Sequence, residues 1–346
     1  MRKRRQVPWF CRIPLMVSLA LVLVSCMAVQ TPVVPTITPL PTPTPNGVAA
    51  SSNANVPLAS SSIPLDSQGF ADPAFRTLWE QYDGAVASGQ VSRGWFWGQP
   101  VPFGAEDEPY AESPGGKRLV EYFDKGRMEI NDPGADPSSQ WYVTSGLLTT
   151  ELVTGRVQVG ANTFQNMAPA QLAVTGDLDT ADPATPLYAD FAGARMASAP
   201  NRTGQPVDAK FVHGQGDVQI TPPTPVTIAN YDTTVDHNIA DVFVNYFDHD
   251  LTLMGLNWLY VMGHPISEPY WVSARFDGKS QLVLVQLFER RALSFNPNNQ
   301  PGLQVEFTNI GLHYYRWRYH GSTSLVPTAP LVATVERSSV VANTRP

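Results

Sequence analysis

Cysteine is almost missing: the 346-residue chain has two, Cys11 and Cys26, both within the first 26 residues. The rest of the sequence therefore has no disulfide framework, no thiol nucleophile and no cysteine-ligated zinc or iron–sulfur site. Basic charge is also scarce. There are 23 Lys+Arg against 30 Asp+Glu, a formal −7, and five of the basic residues (Arg2, Lys3, Arg4, Arg5, Arg12) stand in the first 26 positions with no acid among them. Without that segment 18 basic residues face 30 acidic ones, a balance of −12. Phosphate neutralisation needs clustered Lys/Arg, so nucleic acid is disfavoured as a partner. The acidity argues equally against direct adhesion to anionic headgroups and leaves a neutral glycan, a cation or a protein. The G-x-S-x-G elbow, H-E-x-x-H helix, Walker A loop and dinucleotide-binding glycine fingerprint are all absent. No cofactor is implied. The apolar run Ile13–Val24 falls short of the about 20 residues that span a bilayer.

That run is instead the centre of a secretory signal over residues 1–26: basic residues, an apolar stretch, then small residues. Leu23-Val24-Ser25-Cys26 resembles the lipobox of bacterial lipoproteins, which implies lipidation of Cys26, cleavage before it and an exported protein anchored to the membrane, facing the cell surface. Residues 27–66 form a Pro/Thr/Ser-rich linker with eight prolines and one charged residue, Asp66. Its Thr31–Pro45 stretch favours a polyproline-like spacer, which at about 3.1 Å per residue gives the linker a reach on the order of 100 Å. Residues 321–346 have a similar composition and read as a disordered tail.

Between linker and tail, one set of motifs occurs twice. Asp72-Pro73 with Phe75, Leu78, Trp79 and Tyr82 has the cap and spacing of an amphipathic helix, and Ile239, Val242, Phe243 and Tyr246 repeat the spacing. Trp97-Gly98-Gln99-Pro100 lies over Met262-Gly263-His264-Pro265, and Glu108-Pro109-Tyr110 over Glu268-Pro269-Tyr270, with a hairpin loop of different length after it. Val120–Asn131 lies over Val285–Asn296, each a strand-like alternation broken by an acid–base pair, Asp124-Lys125 or Glu289-Arg290. Tyr142–Leu147 lies over Phe307–Leu312. The expected fold is α+β, mostly β: two related helix-plus-β-hairpin units, 67–155 and 236–320, forming one compact domain with a β-rich segment over 156–235. Gly98/Gly263 and Gly146/Gly311 are expected where the backbone needs positive φ or close approach, Phe123/Phe288 as buried anchors, and the charged pairs as solvated turns.

The strings YFDKGRMEI (122–130), SGLLTTELVTG (145–155), QLFERRALSF (286–295) and GLHYYRWRY (311–319) resemble a domain recurring in exported proteins of Chloroflexota-type bacteria, over about 70–320. That resemblance implies no activity. Trp97-Gly98-Gln99-Pro100 with Phe123-Asp124-Lys125-Gly126, and Met262-Gly263-His264-Pro265 with Phe288-Glu289-Arg290-Arg291, also resemble the LGFP cell-wall repeat, although Arg291 stands where that motif has Gly. The likeness implies attachment to envelope polysaccharide rather than catalysis.

Chemistry-bearing residues are few. Asp232, Asp236, His237, Asp241, Asp248, His249 and Asp250 read as the polar face and caps of a helix. Asp177, Asp179 and Asp182 have part of a calcium-loop spacing without its Asp-Gly turn. His264 with Glu268 is the candidate acid/base pair of an exported hydrolase. Of Trp95, Trp97, Trp141, Trp258, Trp271 and Trp317, the rings expected at the surface are Trp97 and Trp271, each beside a turn; with Glu108 and Glu268 they are the ligand-binding candidates. The expected function is a lipid-anchored binding or structural module recognising envelope polysaccharide or a surface protein. The alternatives are the hydrolase and a purely structural spacer.

Overall fold

Asp72 starts the first helix as its sequence demands: its backbone is extended, its Oδ1 accepts the Ala74 N–H at 2.8 Å, and Pro73 opens α1 (Pro73–Ala87). A computed structural model describes residues 63–99, 105–252 and 254–320, all within one compact unit, Pro57–Pro346. The expected signal, Cys26, nearly all of the linker, Pro100 and the tail lie outside the described residues. Among the described residues strand accounts for 28% and helix for 24%, which makes the domain α+β.

The first sheet is an antiparallel meander of β1 (Ala105–Pro109), β2 (Lys117–Phe123) and β3 (Gly126–Ile130), with Asp124-Lys125 as the turn between β2 and β3. α2 (Leu148–Thr154) follows. The intervening segment holds two small hairpins' worth of strand, β4 (Arg156–Gln158) with β5 (Phe164–Asn166), and β6 (Ala209–Val212) with β7 (Gly216–Gln219). β8 (Ile228–Asp232) pairs with β9 (His237–Ala240), and α3 (Asp241–Tyr246) runs on into a π turn, Phe247–Leu251. After α4 (Trp258–Met262) come β10 (Tyr270–Phe276), β11 (Lys279–Leu287), β12 (Ala292–Phe295) and β13 (Val305–Phe307). They form a six-stranded sheet in the order β13-β12-β11-β10-β6-β7, so the intervening segment completes the second sheet. α5 (Ile310–Tyr315) ends in a second π turn, Arg316–His320.

Away from their edges, both sheets are buried on both faces. Phe123, Met128, Ile130, Trp271, Leu284, Leu293 and Phe295 pack with Phe75 and Trp79 of α1 and Phe243 of α3 in one core. Val120, Tyr122, Val272, Val283, Val285 and Leu287 pack with Leu152 of α2 and Tyr314 of α5 in another. In β2, β3 and the central strands β10–β12, alternation therefore assigns most residues to one of two interiors rather than to interior or solvent.

Three expectations need correction. Ile239 belongs to β9, not to the helix; hairpin pairing with β8 captures residues 237–240, and the helix starts at Asp241. Glu108-Pro109-Tyr110 and Glu268-Pro269-Tyr270 are not equivalent: Glu108 sits in β1 opposite Arg118, whereas Glu268 precedes β10. The partner of Val120 is Glu106, and the partner of Val285 is Tyr270. Finally, the acid–base turns are docked. The Asp124 carbonyl accepts the Gly311 and Leu312 N–H groups at 3.0 and 3.2 Å, and Lys125 Nζ donates to Phe307 O and Asn309 Oδ1 at 2.8 and 2.9 Å. The Glu289 carbonyl accepts the Thr150 N–H at 3.2 Å, and Arg290 reaches Gly146 O at 3.5 Å.

Gly98 and Gly263 do need positive φ, at 106° and 71°, and a Cβ on either would strike the acid of the adjacent turn, 2.9 Å from Asp124 Cβ and 2.5 Å from Glu289 Oε2. Gly146 also has positive φ, but Gly311 lies inside α5, where a Cβ would run into the Phe123 and Gly126 carbonyls. Phe123 and Phe288 are fully buried.

Candidate functional site

The four ligand-binding candidates are all interior, with exposures of 4% for Trp97, 2% for Glu108, 7% for Glu268 and 0% for Trp271. Trp271 donates its indole N–H to Val207 O at 2.8 Å. Trp97 is clamped between Phe96 and the guanidinium of Arg291, which sits 4.4 Å from its ring and fills the space above Gly126. Neither can stack on a ligand; turn residues beside a Trp mark a chain reversal and leave open which way the ring points.

Glu108 belongs to a buried ionic cluster on the β1–β3 sheet. It lies 3.2 Å from Arg118 and 3.3 Å from Arg127, and accepts from Tyr122 and Tyr319 at 2.5 and 2.6 Å; Glu129 bonds the same two arginines. Burial alone would raise the Glu108 carboxyl, but Arg127, Arg118 and Arg318 outweigh it and hold it far below the usual carboxylate range. With every partner internal, the cluster serves the fold.

His264 and Glu268 are engaged separately. His264 Nδ1 lies 2.6 Å from Asp232 Oδ2, while Glu268 takes Arg202 at 2.6 Å, the Asn238 N–H at 3.0 Å and His237 Nδ1 at 3.2 Å. The carboxylate is saturated, so the pair does not assemble as an acid and a base. Among the calcium candidates, Asp177 caps the β10–β11 turn at Asp277-Gly278, Asp179 pairs with Arg316 at 2.6 Å, and Asp182 bonds Ala184 and Ser280. Each bonds its own partners, and no group of three or more His, Cys, Asp or Glu among the described residues is placed to hold a metal ion.

The concave aromatic surface lies elsewhere. A groove of about 510 Å³ runs between α1, the loop after β3 and the approach to α4. Ala74, Thr77, Leu78, Gln81 and Tyr82 recur at helical spacing and form one wall; Pro137–Gln140, Tyr142 and Val143 form the second, and Gly255–Asn257 with Tyr260 the third. Asx turns shape the loop: Asp132 Oδ1 accepts the Gly134 N–H and Asp136 Oδ1 the Ser138 N–H, each at 2.9 Å. The Tyr260 hydroxyl, 2.9 Å from Gln140 O and 2.8 Å from Val143 O, ties the loop to α4. Burial pushes the Tyr82 and Tyr260 hydroxyls up, so both stay neutral. Trp141, between two lining residues, stands edge-on to Tyr260 with ring centroids 5.1 Å apart. At 56% exposure it is the most open large hydrophobic side chain among the described residues.

The groove's aromatic residues were visible in the sequence, but not their exposure. The usable signal was Trp141 a few residues after the Asp132-Pro133-Gly134 and Asp136-Pro137 turns, a context that holds a ring outside regular structure. No family model, curated protein or solved structure matches the chain.

Proposed function

We propose that this protein is an exported, lipid-anchored surface module, held through Cys26 on the Pro/Thr linker, that binds envelope polysaccharide in the α1–α4 groove. The carrying observation is the exposed Trp141 beside the tyrosine-lined groove, in a domain whose other candidate aromatics are buried. Sugars present C–H faces and hydroxyl edges, which suit aromatic rings flanked by amides.

The scaffold is read as two related units docked reciprocally. The contacts that support this recur at one spacing: Lys125 N donates to Trp97 O at 2.9 Å and Arg290 N to Met262 O at 2.8 Å, and the β2–β3 and β11–β12 registers superpose after a shift of 165 residues. The resemblance to cell-wall repeats agrees with the binding reading but does not carry it.

The test uses the full chain in cells and purified. The wild type is expected in the membrane fraction and Cys26→Ala in the soluble one; the purified protein is expected to co-sediment with isolated envelope, with Trp141→Ala reducing the bound fraction severalfold. Wild type that ignores envelope and every polysaccharide offered would leave the spacer reading in place of this one.

A further inference from the structure

The residues lining the groove are Pro, Ala, Thr, Leu, Gln, Tyr, Ser, Val, Gly and Asn, with no charged side chain among them. That is unusual in a chain whose acids outnumber its bases 30 to 23. An anionic polymer would need Lys, Arg or free N–H groups at the site, and its approach would be opposed by the protein's net charge. Two helix starts border the groove and could attract anions: that of α4, whose cap Asn257 already accepts the Leu259 N–H, and that of α1, where Pro73 and Ala74 line the wall. Asp72 has taken the second: its side chain accepts the Ala74 N–H at 2.8 Å and its carbonyl the Phe75 and Arg76 N–H groups at 3.1 and 3.2 Å. A carboxylate at that cap repels a second anion. A cationic ligand, in turn, would find no carboxylate in the lining to replace its water.

What the groove offers is neutral. Asn257 spends its Oδ1 on the Leu259 N–H at 2.9 Å, which leaves its amide hydrogens unbonded among the described residues. Gln81, Gln140 and the Tyr142 hydroxyl add further uncharged donors and acceptors, Tyr260 supplies an apolar face, and the exposed Trp141 ring stands beside the lining against Tyr260. Its volume of about 510 Å³ lies within the roughly 300–1,000 Å³ of small-molecule sites, enough for a short stretch of chain rather than an extended surface.

Resting on the binding reading above, we infer that the ligand is an uncharged polysaccharide and that the groove discriminates against anionic polymers of the same backbone. Titrations of the purified protein with soluble glucans and mannans, each paired with its carboxymethylated form, test this. A neutral member is expected to bind at least about tenfold tighter than its charged counterpart, with less than about twofold change between low and high salt. Trp141→Ala, at a site too exposed to disturb folding, is expected to cost about tenfold or more. Gln81→Lys and Gln81→Glu on the α1 wall are expected to weaken binding alike. Tighter binding of the carboxymethylated polymers, or a gain from Gln81→Lys alone, overturns the neutral-ligand inference and leaves the binding module standing. Neutral binding that ignores Trp141 overturns the groove as its site, and no binding to any polymer or to envelope overturns both.

Discussion

Glu121 is a carboxylate on the apolar face of β2, 3% exposed among Phe123 and the α1 core, with one bond, from the Ala71 N–H at 3.1 Å. Burial, with Asp66 and Asp72 nearby, pushes it up to about 7 from an ordinary 4.5, despite the Ala71 bond. The unfolded chain therefore ionises first. Below about pH 4.5 the group is protonated in both states and costs nothing; as pH rises toward 7 the folded state loses stability, to a limit of about 3 kcal/mol above pH 7. Glu121→Gln keeps an acceptor for Ala71 and removes the charge. Urea denaturation is expected to show no difference at pH 4 and a more stable variant at pH 8; equal stability at both would remove burial as the cause. Nothing in the sequence separates Glu121 from a solvent-facing strand residue, because alternation of polar and apolar residues presumes one wet face. Arg118, Arg127 and Glu129 were hidden in the same way: this sheet has two dry faces, one apolar and one closed by ion pairs.

Helical glycines show what was legible at the scale of elements. The cap and apolar spacing of α1 identify it outright, and the two hairpins around Asp124-Lys125 and Glu289-Arg290 follow from alternation broken by polar turn residues. Sequence marked Gly311 for positive φ or close approach, but could not show that the close approach is that of α5 to the β2–β3 turn, since this contact joins residues 185 or more apart. Gly84 in α1 and Gly311 in α5 are both helical, and propensity alone favours Ala at each by about 1 kcal/mol. Gly84 has room, its nearest neighbour to a built Cβ being Glu80 Cβ at 3.9 Å. Gly84→Ala is expected to stabilise by about 0.5–1 kcal/mol. Gly311→Ala, facing two backbone carbonyls that cannot rotate away, is expected to destabilise by about 3 kcal/mol or more. Thermal denaturation of the two variants checks the opposite signs, and similar effects from both would mean that α5 does not approach the turn.

Across the domain, each acid–base turn bonds the start of a helix distant in sequence: Asp124 and Lys125 meet residues 307–312, and Glu289 and Arg290 meet Thr150 and Gly146. The carbonyls of these turns meet N–H groups at the starts of α5 and α2, which would otherwise be orphaned. Both cores also draw residues from both 67–155 and 236–320, so neither segment closes an interior alone. Two segments folded like beads would unfold in two steps; segments that complete each other's helix starts and cores must unfold together. Tryptophan fluorescence and far-ultraviolet circular dichroism are therefore expected to trace one coincident urea transition. Lys125→Ala, which leaves the Phe307 carbonyl and Asn309 without their charged donor, is expected to lower stability by about 1.5–3 kcal/mol while the transition stays single. Because the severed contact joins residues 67–155 to 236–320, a variant that instead splits the curve into two would show that each segment holds a core of its own, and the reciprocal docking would not be what makes this a single domain.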